Sequence, residues 1–167
     1  MQKANRPQDN WREVVFGGIG LLVILADQIS KEWIRSNLGI GQILFDLGFF
    51  RIVHVYNTGA AFGIFKGHSL TLTIVAATGV VVILFLVFLL RSRWSLLDSM
   101  VVRSGIGLVI GGTVGNLIDR LRLGHVTDFI DFKVWPAFNI ADSAVTIGVI
   151  IVAYCLICSA QTSEENK

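Results

Sequence analysis

The sequence predicts a membrane α-helical fold: four transmembrane helices with a small extracytoplasmic β-rich segment between helices 1 and 2. Three observations carry that prediction. Hydrophobic residues make up 53% of the 167 and charged residues only 16%, an apolar share above that of ordinary soluble domains. Four apolar runs approach or reach the roughly 20 residues that cross a hydrocarbon core of about 30 Å. Between the first two runs the chain changes character, with glycines at 39, 41, 48, 59, 63 and 67 dividing pieces of partly alternating apolar pattern such as Phe49-Phe50-Arg51-Ile52-Val53-His54-Val55-Tyr56.

The elements follow in order along one integral membrane domain, residues 1–158. Met1 to Glu13 is a polar head with Lys3, Arg6 and Arg12, and an apolar run begins at Val14. A basic head before a short apolar run also opens a secretory signal peptide. Here Asp27, Gln28, Lys31 and Glu32 stand where a small-residue cleavage site belongs, so the run reads as a retained first helix, about 13–37. The β-rich segment spans about 38–67. Its aromatics Phe45, Phe49, Phe50, Tyr56, Phe62 and Phe65 fit either a private core or an interfacial belt, and a sheet resting on the bilayer surface is the preferred reading. The second helix covers about 69–90 and the third about 100–120. Gly107, Gly111 and Gly115 recur every fourth residue on the third, where they let a neighbouring backbone approach. A connection from Leu121 to Phe138 leads to the fourth helix, about 140–158, and 159–167 reads as a disordered polar tail.

Several chemistries are set aside. A net charge of +2, scattered along the chain, gives no nucleic-acid footprint. The glycines of the third helix are not a phosphate loop, because no Gly-Lys-Ser/Thr follows them. His54, His68 and His125 are too scattered for a zinc site, and no H-E-x-x-H or Gly-x-Ser-x-Gly occurs, so neither a metal nor a cofactor is expected. Cys155 and Cys158 lie inside an apolar run and read as small helix residues.

Four crossings put both termini on one side together with the Arg91–Arg103 connection, and the positive-inside rule makes that side cytoplasmic. Asp27 with Lys31, Asn57, Asn116 to Arg120, Asp128, and Asn139 with Asp142 then converge on the extracytoplasmic face. Most have an ordinary explanation: an i,i+4 pair for Asp27 and Lys31, an interfacial pair for Asp119 and Arg120, an N-cap or turn role for Asp128, and helix capping for Asn139 or Asp142. His125 and Asp131 read as surface residues. Capping accounts for one acid at that boundary and leaves the gathering of several unexplained. Two carboxylates held close in a partly desolvated site share a proton, and such a pair hydrolyses a peptide bond without metal or nucleophilic side chain. A transporter would favour acids at the membrane midplane, and an anchor protein would use the glycine face alone.

At these residues the chain resembles the lipoprotein signal peptidases, or signal peptidase II, the integral-membrane aspartic peptidases of bacteria. The resemblance rests on Asp27-Gln28-x-x-Lys31, Asn57-Thr-Gly-Ala-Ala-Phe62, Gly111-Gly112-x-x-Gly115-Asn116-x-x-Asp119-Arg120, Val126-Thr127-Asp128-Phe129 and Phe138-Asn139-Ile140-Ala141-Asp142-Ser143, in that order over nearly the whole chain. It implies that Asp128 and Asp142 are the catalytic dyad. It implies too that Asn57, Asn116, Arg120 and Asn139 line or orient the substrate site, with Asp27, Lys31 and Asp119 in supporting roles. The implied substrate is a diacylglyceryl-modified prolipoprotein cut just before its lipidated cysteine. The implied setting is the bacterial inner membrane, with surrounding lipid, a monomeric enzyme and inhibition by the cyclic peptide globomycin.

Overall fold

The computed structural model describes residues 7–59, 67–90, 97 and 99–165. In chain order these form α1 (Pro7–Asn37), β1 (Ile43–Asp46), β2 (Arg51–Asn57), α2 (Ser69–Leu90), α3 (Met100–Leu123), β3 (Val126–Asp131) and α4 (Ile140–Glu165). All four helices contain a stretch long and apolar enough to cross a membrane: Glu13–Asn37, Ser69–Leu90, Met100–Leu123 and Ile140–Gln161.

The packing is organised around α3. Nine of its residues, from Val102 to Asp119, are buried, whereas α2 buries Thr73 alone. Glycine makes this possible on two faces. Gly107, Gly111 and Gly115 point at α1, where a Cβ on Gly111 would sit 2.6 Å from the Gly20 carbonyl oxygen. Gly105 and Gly112 point at α4, whose own Gly148 would carry a Cβ 2.5 Å from the Gly105 carbonyl oxygen. The four-residue glycine spacing thus reads out as an α1–α3 seam, and a second seam, offset around the same helix, receives α4. Bilayer lipid is as apolar as a leucine face, so close backbone approach rather than hydrophobic burial holds such helices together.

One part of the architecture departs from the sequence reading. Among its described residues the β-rich segment supplies two strands. The third, β3, comes from the connection between α3 and α4, and all three form one antiparallel sheet in the order β1-β2-β3. Gly124 turns the chain into it, adopting φ +76° after the last turn of α3 and donating its N–H to the Arg120 carbonyl at 3.0 Å. Ile34, Leu38 and Phe129, with Ile52, Ile130 and Ile140 against them, fasten the sheet to the end of α1 and the start of α4.

Phe50 packs on Phe45 and Phe132 with ring centroids 5.8 and 5.1 Å apart, while Phe49 and Tyr56 stand exposed. Phe62 and Phe65 lie outside the described residues. The fourth helix continues through Glu165, past the expected end at 158, because Ser159 to Glu165 contains no glycine or proline to stop it. Cys155 and Cys158 are half-buried residues of that helix.

Candidate functional site

The candidate site residues Asp27, Lys31, Asn57, Asn116, Asp119, Arg120, Asp128, Asn139 and Asp142 come to one end of the bundle, where α1 and α3 finish, α4 begins and the sheet sits. Gly59 follows Asn57 there, and Ala60 to Phe62 of the same motif lie outside the described residues.

Asp27, Lys31 and Arg35 recur every fourth residue and so share one stripe of α1. Asp27 and Lys31 are fully buried, their charged atoms 2.8 Å apart. Lys31 also lies 3.4 Å from Asp119 of α3, and Arg35 reaches the other oxygen of Asp119 at 3.4 Å. Two cations thus face two carboxylates, as buried charge requires. Gln28 stitches the same helices, donating to Asp27, to Asp119 and to the Gly115 carbonyl at 3.0 to 3.2 Å. Both carboxylates also accept from backbone. Asp27 Oδ1 accepts the Ala141 N–H at 3.0 Å, and Asp119 Oδ2 accepts the Thr127 N–H at 3.0 Å. Asp27 therefore occupies the N-terminus of α4, where unpaired N–H groups and the helix dipole favour an anion.

A layer of asparagines lies next to these charges. Asn139 caps α4, its Oδ1 accepting the Asp142 N–H at 2.9 Å. Its Nδ2 donates to Asp128 Oδ1 at 2.7 Å and to Asn116 Oδ1 at 3.1 Å. Asn116 Oδ1 also accepts from Lys31 Nζ at 2.8 Å, and Asn116 Nδ2 donates to Asp142 Oδ1 at 2.7 Å. From the end of β2, Asn57 Nδ2 donates to Asp128 Oδ2 at 2.9 Å. Asp128 on β3 and Asp142 in the first turn of α4 are thereby linked through two side-chain amides, with no direct contact needed between the carboxylates.

Asp128 and Asp142 line one cavity of about 830 Å³ together with Asn57, Asn116 and Arg120. Apolar residues Val126, Val145 and Ile147 continue its wall, and Trp135, Pro136, Ala137 and Phe138 line it as well. Burial, reinforced by the negative charge of Asp142, pushes the Asp128 carboxyl from 3.8 up to about 7, against the opposing hydrogen bonds from Asn57 and Asn139. Arg120 donates to the Gly59 carbonyl at 3.3 Å, while its buried Nε meets no partner among the described residues. Such a cavity can hold an extended peptide segment beside an apolar chain, with two acids of unequal surroundings at the peptide.

Two surface assignments are corrected. Asp131 is buried and holds Arg51 Nε and the Lys133 N–H at 2.6 Å each, because β3 pairs with β2 and turns Asp131 toward Arg51. His125 is half-buried and stacks on Tyr56 at 3.8 Å. The Asp27–Lys31 pair is not an exposed i,i+4 bridge, and Asp119 does not snorkel to water; both stand in the interior. Sequence reasoning gave no role to Gln28, Arg35, Thr127 or Ala141. The four-residue spacing from Asp27 through Lys31 to Arg35 was the available signal for Arg35. Nothing in the sequence marks a backbone N–H such as that of Ala141.

Comparison with known proteins gives a consistent set of similarities. A family model described as signal peptidase (SPase) II matches residues 19–158. The lipoprotein signal peptidase of Dehalococcoides mccartyi (strain CBDB1) is 48% identical over 144 residues, spanning 86% of this chain and 89% of that protein. That of Moorella thermoacetica is 40% identical over 143 residues, spanning 85% and 92%. A solved structure described as a bacterial membrane enzyme, determined by the in meso method at 2.3 Å, superposes with a TM-score of 0.75 at 32% identity, covering 86% of this chain and 88% of that one.

Proposed function

The chain belongs to the signal peptidase II family of membrane peptidases, and from that premise we propose that it is an aspartic endopeptidase cutting diacylglyceryl-modified prolipoproteins just before the lipidated cysteine. The observation that carries the reading is the placement of Asp128 and Asp142 on one cavity, each held by asparagine donors.

The two acids hold one proton between them, since a second negative charge in a desolvated site is expensive. The ionised carboxylate takes a proton from water, and the water oxygen adds to the scissile carbonyl carbon. The protonated carboxyl donates a hydrogen bond to the carbonyl oxygen as negative charge develops there. Collapse of the tetrahedral intermediate breaks the C–N bond, and the proton taken from water passes to the leaving nitrogen. Asn57, Asn116 and Asn139 orient the carboxylates before substrate arrives, so little reorganisation is left for the reaction itself. Arg120 lines the same cavity as the cation for a polar group of the substrate, and Val145 and Ile147 accept the apolar chain. Asp27 and Asp119 support the site by pinning the starts of α4 and β3. No metal or cofactor enters this chemistry. The site faces the extracytoplasmic side of the bacterial inner membrane, with both termini cytoplasmic and a monomer as the working unit.

The test is incubation of purified protein with a lipidated and an unlipidated precursor, with and without a strong chelator. Cleavage of the lipidated form alone, unchanged by the chelator, is expected. Equal cleavage of both precursors removes the lipid from the proposal, and zinc-restorable loss removes the dyad.

A further inference from the structure

Lys31 is a lysine with no exposed surface, on a transmembrane helix, and it lies outside the cavity that holds Asp128 and Asp142. Charge balance with Asp27 and Asp119 accounts for two of its contacts. The third contact of Lys31 goes to a neutral atom, Oδ1 of Asn116, at 2.8 Å.

The chemistry of that contact is one-sided. An ammonium group donates and never accepts, whereas a primary amide offers an acceptor on one side and donors on the other. Whichever end of the Asn116 amide faces Lys31 must be the oxygen, and the Nδ2 end is then aimed at Asp142 Oδ1, 2.7 Å away. In the reverse orientation the NH₂ group would meet the ammonium, the carbonyl oxygen would meet the carboxylate, and the amide of Asn139 would lose its acceptor at 3.1 Å.

Resting on the dyad reading, we propose that Lys31 is a positioning residue for the reaction: it fixes the orientation of the Asn116 amide so that Asp142 receives a donor. Lys31 touches neither substrate nor the reacting atoms. Its influence on turnover passes through Asn116.

The charge-balanced pair Asp27→Asn with Lys31→Met tests this. It removes one charge of each sign, and Asn at 27 keeps a carbonyl oxygen for the Ala141 N–H. Cleavage of a lipidated precursor is followed to separate kcat from KM, with melting in detergent alongside, for this pair, for Asn116→Ala, and for the two combined. The expected result is a fall in kcat of up to about 10²-fold with KM unchanged, and a combined variant no slower than Asn116→Ala. Full kcat in the folded pair, or losses that multiply in the combination, overturns the proposal. Should the pair not fold, Lys31→Gln replaces it, since glutamine offers both donor and acceptor and releases the constraint on Asn116. If no variant at 31 folds, the residue belongs to the fold alone and the proposal falls. Asp128→Asn and Asp142→Asn run in parallel: activity in either one indicts the dyad reading, whereas an active Lys31 variant beside dead aspartate variants indicts only this inference.

Discussion

Asn139 holds Asp128 across 2.7 Å with one end of its amide while the other end caps the helix that carries Asp142. The helix start and the position of a carboxylate on a different element are therefore a single arrangement.

Asn at either aspartate is nearly isosteric but cannot accept a proton from water. Asp128→Asn and Asp142→Asn should each lower precursor cleavage by at least about 10²–10⁴-fold, and the double variant should be scarcely slower than either, as for groups acting together. Asp46→Asn is the control. Asp46 is exposed, bonded to Lys133 at 2.7 Å and absent from the cavity wall, so its loss should leave both the melting temperature and cleavage close to the parent's. Gel shift of the precursor reads activity, and melting in detergent reads folding. Active, folded dyad variants would falsify the mechanism.

The raised carboxyl of Asp128 also predicts how stability moves with pH. Between 3.8 and about 7 the folded protein keeps a proton that the unfolded chain has released. Stability contributed by the neutral acid is thus present at low pH and lost as pH rises through this window, with no further change above it. Asp128→Asn has no such proton, so the melting temperature of the parent should fall relative to the variant from about pH 4 to about pH 8. A parent that gains on the variant over that range would show that Asp128 is ionised more easily in the fold than out of it.

Gly115 faces Asp27 so closely that an added Cβ would lie 2.6 Å from its Oδ2. Gly115→Ala should cost about 1–3 kcal/mol of stability through overpacking, and cleavage should suffer with it, because Asp27 can move only by loosening Lys31 and the start of α4. Gly79 of α2 has nothing within 4 Å of the same added atom. Gly79→Ala should leave the melting temperature level or higher, and equal losses in the two variants would argue against the α1–α3 seam.

Orientation in the membrane is checked by reporter fusions. With the cytoplasmic head proposed from its basic residues and those of the α2–α3 connection, fusions should report Arg93 in the cytoplasm and, after an odd number of crossings, Gly41 and Lys133 outside. A cytoplasmic Lys133 would invert the proposed access of substrate.

Much of this was legible in the chain. Helix content follows from apolar run length, and a face of α3 open to close backbone approach from the spacing of Gly107, Gly111 and Gly115, though not that α1 fills it. The polar residues of the site were visible because Asp27, Asn116 and Asp142 are costly inside apolar segments. The third strand was not visible. Val126 to Asp131 is only six residues long with two acids in it, a pattern that a loop carries equally well, and its pairing with β2 is a contact across some 70 residues that no local period encodes. For the same reason Asp131 read as surface, since its burial depends on Arg51 arriving from the other strand. The depth of Lys31 was hidden as well: an i,i+4 pair looks alike in sequence whether water or Asn116 lies beyond it.

The bond between the Asp27 carboxylate and the Ala141 N–H spans 114 positions of sequence. A ribosome releases Ala141 and Asp142 only after α1, α2 and α3 have been made, so Asp27 waits for its backbone partner and the second acid of the proposed dyad is added after the first. On the proposed reading, a polypeptide halted before α4 lacks Asp142 and is inert, and the site is completed when α4 seats its first turn on Asp27.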